Sequence, residues 1–111
     1  MIRHIVLIRF RDDVSDAHAA GLLAPIGPLS ARLGFVATWG KSESPEQIER
    51  GYRHGFVADF ADWKALAAYQ EDAEHKSFGA GLVAHAEGGI DGILVFDLAT
   101  DDRAFITGPR S

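Results

Sequence analysis

Three histidines and one tyrosine stand where a small α+β fold could gather them. His4 and His54 each open a stretch rich in β-branched and aromatic residues, while Tyr69 and His75 lie six positions apart across a helical stretch and its end. An imidazole changes charge near neutral pH and can take a proton from the carbon beside a carbonyl. A phenol can donate a hydrogen bond to the oxyanion that develops. The set therefore suits proton-transfer chemistry that needs no metal, flavin or nicotinamide. The three imidazoles with Asp72 would also suit zinc or iron, although the i, i+4 ligand pair of a helix-borne metal motif is missing. Against both stands the plain alternative that a histidine on a buried strand face is a hydrogen-bonded core residue.

The other polar residues carry less. His18 beside Asp16 reads as solvated, and His85 in a last helical turn complements the helix dipole. Lys41 could meet an anionic group of a substrate. Gly79-Ala80-Gly81 lacks the strand and GxGxxG context of a phosphate loop. Trp39 and Trp63 read as core or interface anchors.

The elements that must position these residues follow from pattern and punctuation. Residues 2–10, 35–41, 52–60 and 90–98 read as strands. Ser15 is an expected N-cap for a helix to about Leu33, kinked or broken by Pro25 and Pro28 and ended by Gly34. Asp62 caps a second helix to about Asp72, with Trp63, Leu66, Ala67 and Gln70 at helical spacing. A further helix runs from Glu74 to about His85, and Gly88-Gly89 breaks it. The polar tail, 100–111, is expected to be mobile or draped over a partner, leaving 1–99 as the single domain.

The order β-α-β-β-α-β indicates an α+β, ferredoxin-like sheet with helices on one face. With strands one and three taken as central and parallel, His4 and His54 share one end, to which the second helix returns Tyr69 and His75. Apolar residues on both strand faces imply a second cover. A symmetric homodimer is the expected one, with Val6, Ile8, Phe10, Phe56 and Phe60 assigned to the shared face.

Met1-Ile2-Arg3-His4-Ile5-Val6, Trp39-Gly40-Lys41, Gly51-Tyr52-Arg53-His54 and Tyr69, His75 and Phe78 together resemble the stress-responsive dimeric α/β-barrel (Dabb) family. The similarity covers about residues 1–98. That family is similar to polyketide cyclases of the olivetolic acid cyclase type. By this resemblance Tyr69 polarises the substrate, His75 is the general base for aldol-type ring closure, and His4 and His54 border the pocket. The family often reads His-Pro-x-His where this chain has Asp72-Ala73-Glu74-His75. The adjacent carboxylate is expected to raise the His75 pKa.

Composition bounds the alternatives. The 111 residues carry a net charge of −5 and no cysteine. No basic stripe exists for nucleic acid or an anionic membrane, and no thiol for a disulfide or zinc site. The charged residues interrupting the amino-terminal apolar run argue against a signal peptide or membrane span, so the cytoplasm is the expected location. The expectation is a cofactor-independent cyclase or lyase acting on a small, apolar, carbonyl-bearing ligand. A non-catalytic binding or stress-protective dimer is the alternative. A cofactor-free barrel monooxygenase is weaker, since the chain has no asparagine to activate a substrate.

Overall fold

The computed structural model describes residues 1–100. Strand β1 (Ile2–Ile8) leads through helices α1 (Asp16–Leu23) and α2 (Ile26–Leu33) to β2 (Val36–Lys41) and β3 (His54–Phe60). Helices α3 (Trp63–Glu71) and α4 (Ala73–His85) follow, then a 3-10 turn (Gly89–Gly92) and β4 (Ile93–Ala99). The sheet order is β2-β3-β1-β4, with every neighbouring pair antiparallel, and this is the expected α+β, ferredoxin-like architecture.

The caps explain the helix starts. Ser15 accepts from the His18 amide, Asp62 from Ala65 and Asp72 from His75. Each satisfies an amide that has no partner within its helix. The single helix expected over 15–33 is two helices, because Pro25 takes the N-cap of α2 and Pro28 falls in its first turn, where a missing amide donor costs nothing. Gly34 closes α2 at φ +77°, a conformation open to glycine and strained for other residues. The strands are shorter than expected: Phe10 makes an isolated bridge to Ala86, and residues 90–92 wind into the 3-10 turn.

Two expectations fail on the sheet. Strands β1 and β3 run antiparallel, not parallel, so His54 stands opposite Ile8 while His4 stands opposite Ala58. At about 3.3 Å per residue the two imidazoles are roughly 13 Å apart along the ladder. The face assignment also reverses. Ile2, His4, Val6, Ile8, Phe56 and Phe60 are buried beneath the helices, with Leu23, Ile26, Leu29, Leu66 and Leu82 over them. Alternation then turns Ile5, Leu7 and Val57 to the other face. Beside them on β4, Leu94, Phe96 and Leu98 are 41%, 54% and 43% exposed. It is this face, not the one carrying Phe10 and Phe56, that lacks a cover.

Among the described residues, no helix is long and apolar enough to cross a membrane. Most of the tail, 101–111, lies outside the described residues.

Candidate functional site

A cavity of about 250 Å³ lies between α4 and strands β1, β3 and β4. Its apolar wall comes from Val6, Phe56, Phe78, Leu82, Ile93 and Val95, and its polar rim from His4, Gln70 and His75. Two of the four residues singled out from the sequence thus line it, and a third backs it.

His75 owes its position to the corner between α3 and α4. The Asp72 carboxylate accepts from the His75 amide at 3.0 Å and from Arg32 of α2 at 2.7 Å. Two elements therefore fix the first turn of α4, and with it the ring. That ring lies against Tyr69, with centroids 4.0 Å apart. Tyr69 is 1% exposed and packed against Phe35, Phe60 and His4. The Tyr69 hydroxyl and His75 Nδ1 are both buried, and neither has a protein hydrogen-bond partner among the described residues. Buried polar atoms are nearly always paired, and leaving one unpaired costs about 1–3 kcal/mol. Two such atoms in adjoining rings beside a cavity offer one hydrogen-bond donor and one acceptor.

The electrostatics keep the pair neutral. Burial raises the Tyr69 phenol above its ordinary value, so it remains a donor. Burial also lowers His75 below its ordinary 6.5, the His4 and Lys76 charges add to this, and the Gln70 backbone and Asp72 oppose it. The upward shift expected from the neighbouring carboxylate is present, since Asp72 raises the pKa, but burial of the ring outweighs it. A neutral imidazole has a lone pair to take a proton.

His4 is 5% exposed and sits edge-on to Tyr69, with ring centroids 5.8 Å apart. Its Nδ1 lies 2.5 Å from Asp97 Oδ1, directly across the β1–β4 ladder. Sequence reading missed Asp97. The register His4↔Asp97 would have revealed it, but register follows from sheet order and is not visible in local pattern.

His54 is elsewhere. Its Nε2 lies 3.1 Å from Asp16 Oδ1, its ring packs on Phe10, and Lys41 reaches the other Asp16 oxygen at 3.3 Å. The structure therefore brings His4, Tyr69 and His75 together and leaves His54 near the opposite end of the sheet. Lys41, considered for an anionic substrate, is paired within the chain. His18 and His85 stack edge to face at 5.0 Å, and His85 Nδ1 reaches the Gly81 carbonyl at 2.7 Å. The metal set of His4, His54, His75 and Asp72 is not assembled. Among the described residues no three His, Asp or Glu side chains are placed to hold an ion.

Comparison with known proteins gives the same architecture. The family model described as the stress-responsive A/B barrel domain matches residues 2–100. A stress-response A/B barrel domain-containing protein, HS1, of Arabidopsis thaliana is 30% identical over 98 residues, 86% of each chain. A dimeric ferredoxin-like protein of unknown function from Jannaschia superposes with a TM-score of 0.81 at 31% identity, covering 89% of this chain and 98% of that one. A hydroxynitrile lyase from Passiflora edulis superposes with a TM-score of 0.77 at 19% identity, covering 91% of this chain and 94% of that one, a likeness of fold alone.

Proposed function

Because this chain belongs to the stress-responsive A/B barrel domain family, we propose that it is a cofactor-independent cyclase or lyase acting on a small, apolar, carbonyl-bearing molecule. The observation that carries the proposal is the Tyr69–His75 pair, two buried polar atoms without protein partners beside a mostly apolar cavity. In the step proposed, His75 Nδ1 takes a proton from the carbon next to a carbonyl. The carbanion attacks a second carbonyl of the same molecule, and the oxygen that becomes anionic accepts a hydrogen bond from Tyr69. That oxygen then takes up the proton held on His75, which restores the site. General-base help of this kind contributes roughly 10²–10⁴-fold, and a preorganised donor to the oxyanion is worth about 10²–10³-fold. Lyase chemistry is the same sequence reversed.

The apolar cavity wall selects for ligands with few polar groups. The relation to a hydroxynitrile lyase is one of shape and does not carry that activity to this chain. A ligand-binding dimer without catalysis uses the same cavity and differs only in its response to His75→Ala: binding remains and there is no turnover to lose. Thermal-shift screening of small ketones and polyketide-like carbonyl compounds, followed by turnover assays on the binders, tests the proposal.

The proposal includes a homodimer formed through the open sheet face. The apolar side chains of β4 support it, and the Jannaschia relative is described as dimeric.

A further inference from the structure

The proposed chemistry leaves the contact between His4 and Asp97 unused. His4 is nearly sealed from solvent on a central strand, and its Nδ1 meets Asp97 Oδ1 at 2.5 Å. Ile2, Val6 and Ile8, the residues that share its side of β1, are all buried and apolar. A polar ring in that row costs stability unless it is hydrogen-bonded, and the bond in question is the one to Asp97. Asp97 itself is on the edge strand β4, with its side chain 26% exposed and free to be solvated instead.

An ionised carboxylate only accepts hydrogen bonds, so the ring nitrogen facing Asp97 must carry the proton. The neutral ring is thereby held as its Nδ1–H tautomer. Nε2 is then the nitrogen with a lone pair, on a ring that lines the cavity and stands edge-on to Tyr69. Histidines that ligate metals or act as bases are commonly fixed in this way, their second nitrogen donating to a carboxylate.

We propose that Asp97 is a positioning residue that fixes the tautomer of His4 and so makes His4 Nε2 a second proton acceptor of the cavity. A proton taken by Nε2 from a substrate hydroxyl or carbon leaves His4 as an imidazolium beside the Asp97 carboxylate. The same nitrogen returns it to the alkoxide oxygen of the product, so no proton is gained or lost over the cycle. The cavity then holds two bases, His75 Nδ1 and His4 Nε2, on either side of one donor, Tyr69. Opposing environments sort them: His75 has no carboxylate on its ring, whereas His4 has one to balance a charge. This inference rests on the proposed chemistry for its catalytic consequence, but its structural core does not.

The test separates the two. Long-range ¹H–¹⁵N spectra of the full-length, ¹⁵N-histidine-labelled protein at pH 8 report the tautomer of each ring without any substrate. Native His4 is expected to show a protonated Nδ1 and an unprotonated Nε2. Asp97→Leu, which leaves no acceptor, is expected to shift the ring toward the Nε2–H form with the rest of the spectrum retained. Should Asp97→Leu fail to fold, Asp97→Asn keeps the shape and is expected to give the same shift, because its amide can donate to Nδ1. A native His4 protonated at Nε2, or an unchanged tautomer in the folded variants, overturns the assignment whatever the reaction is. With a substrate in hand, Asp97→Asn is expected to lower kcat at least a hundredfold with KM changed less than threefold, and Asp97→Glu to recover part of it. Unchanged kcat in a variant with a shifted tautomer overturns the catalytic role and leaves the His75 mechanism standing.

Discussion

The rings of Tyr69 and His75 stack at 4.0 Å with their planes tilted by 43°, and the polar atoms of both end without a protein partner among the described residues. The phenol is on the last turn of α3 and the imidazole on the first turn of α4, so a two-helix corner holds them in one geometry. Folding alone gives no reason to keep the hydroxyl. A phenylalanine would fill the same space without burying an unpaired oxygen.

Stability and function should therefore part company at Tyr69. Tyr69→Phe is expected to leave the unfolding free energy unchanged or raise it by up to about 1 kcal/mol, since an unsatisfied buried hydroxyl is removed. Turnover, once a substrate is found, should fall about a hundredfold. Urea denaturation and kinetics on the same preparation check both halves.

His75→Ala is expected to lower turnover at least a hundredfold, more than Tyr69→Phe, since it removes the proposed general base. The melting temperature should change little, because the ring is only partly buried and its unpaired nitrogen, itself a cost, is removed with it. Full turnover in this variant would leave the fold without the chemistry.

The pH dependence of stability should carry a mark of His75. Burial, the largest cause, depresses its pKa in the folded chain below the ordinary 6.5. As pH falls through 6.5, the unfolded chain takes up a proton there that the folded chain resists, so stability is lost. Above that pH both states are neutral at this site and the contribution vanishes. His75→Gln should flatten the fall in unfolding free energy between pH 8 and pH 5. Identical slopes for the two proteins would show that the ring is not desolvated.

Gly79 lines the cavity from α4, and a Cβ built there meets nothing within 4 Å. Gly79→Leu is expected to block ligand binding while keeping the fold, with a gain in helix propensity of roughly 1 kcal/mol offsetting any local crowding. Loss of folding, or unaltered binding, would contradict the placement of the cavity.

The reversed sheet faces make a paired prediction. Phe96, 54% exposed on the open face, should tolerate Phe96→Lys as a folded chain that sediments as a monomer. Phe56 is buried under the helices, and Phe56→Lys should unfold the protein instead. A native monomer at micromolar concentration would remove the dimer.

Much of the fold was legible because its signals are local. Ser15 and Asp62 announce helix starts, and Gly34 and Gly88-Gly89 announce stops, whereas the Asp72 cap of α4 shows only in the structure. Pairing direction is not local, and treating β1 and β3 as parallel carried His54 to the wrong end of the sheet. The same long-range information hid Asp97, which is 93 residues from His4 and opposite it in the ladder. Tyr69 and His75 were legible because a helix and its cap hold them close along the chain. The direction of the His75 shift was not, since the burial that sets it comes from packing between elements far apart in the chain.

The most direct test of the central claim is whether the cavity recognises a carbonyl through Tyr69 and His75. Binding of acetophenone and of ethylbenzene, nearly the same shape with and without the carbonyl oxygen, can be measured by titration calorimetry or NMR. The native protein is expected to prefer the ketone, and Tyr69→Phe to weaken ketone binding about tenfold, the worth of one hydrogen bond of about 1.4 kcal/mol, while leaving the hydrocarbon unaffected. Equal affinity for the two molecules in the native protein, or no effect of Tyr69→Phe on the ketone, would contradict it.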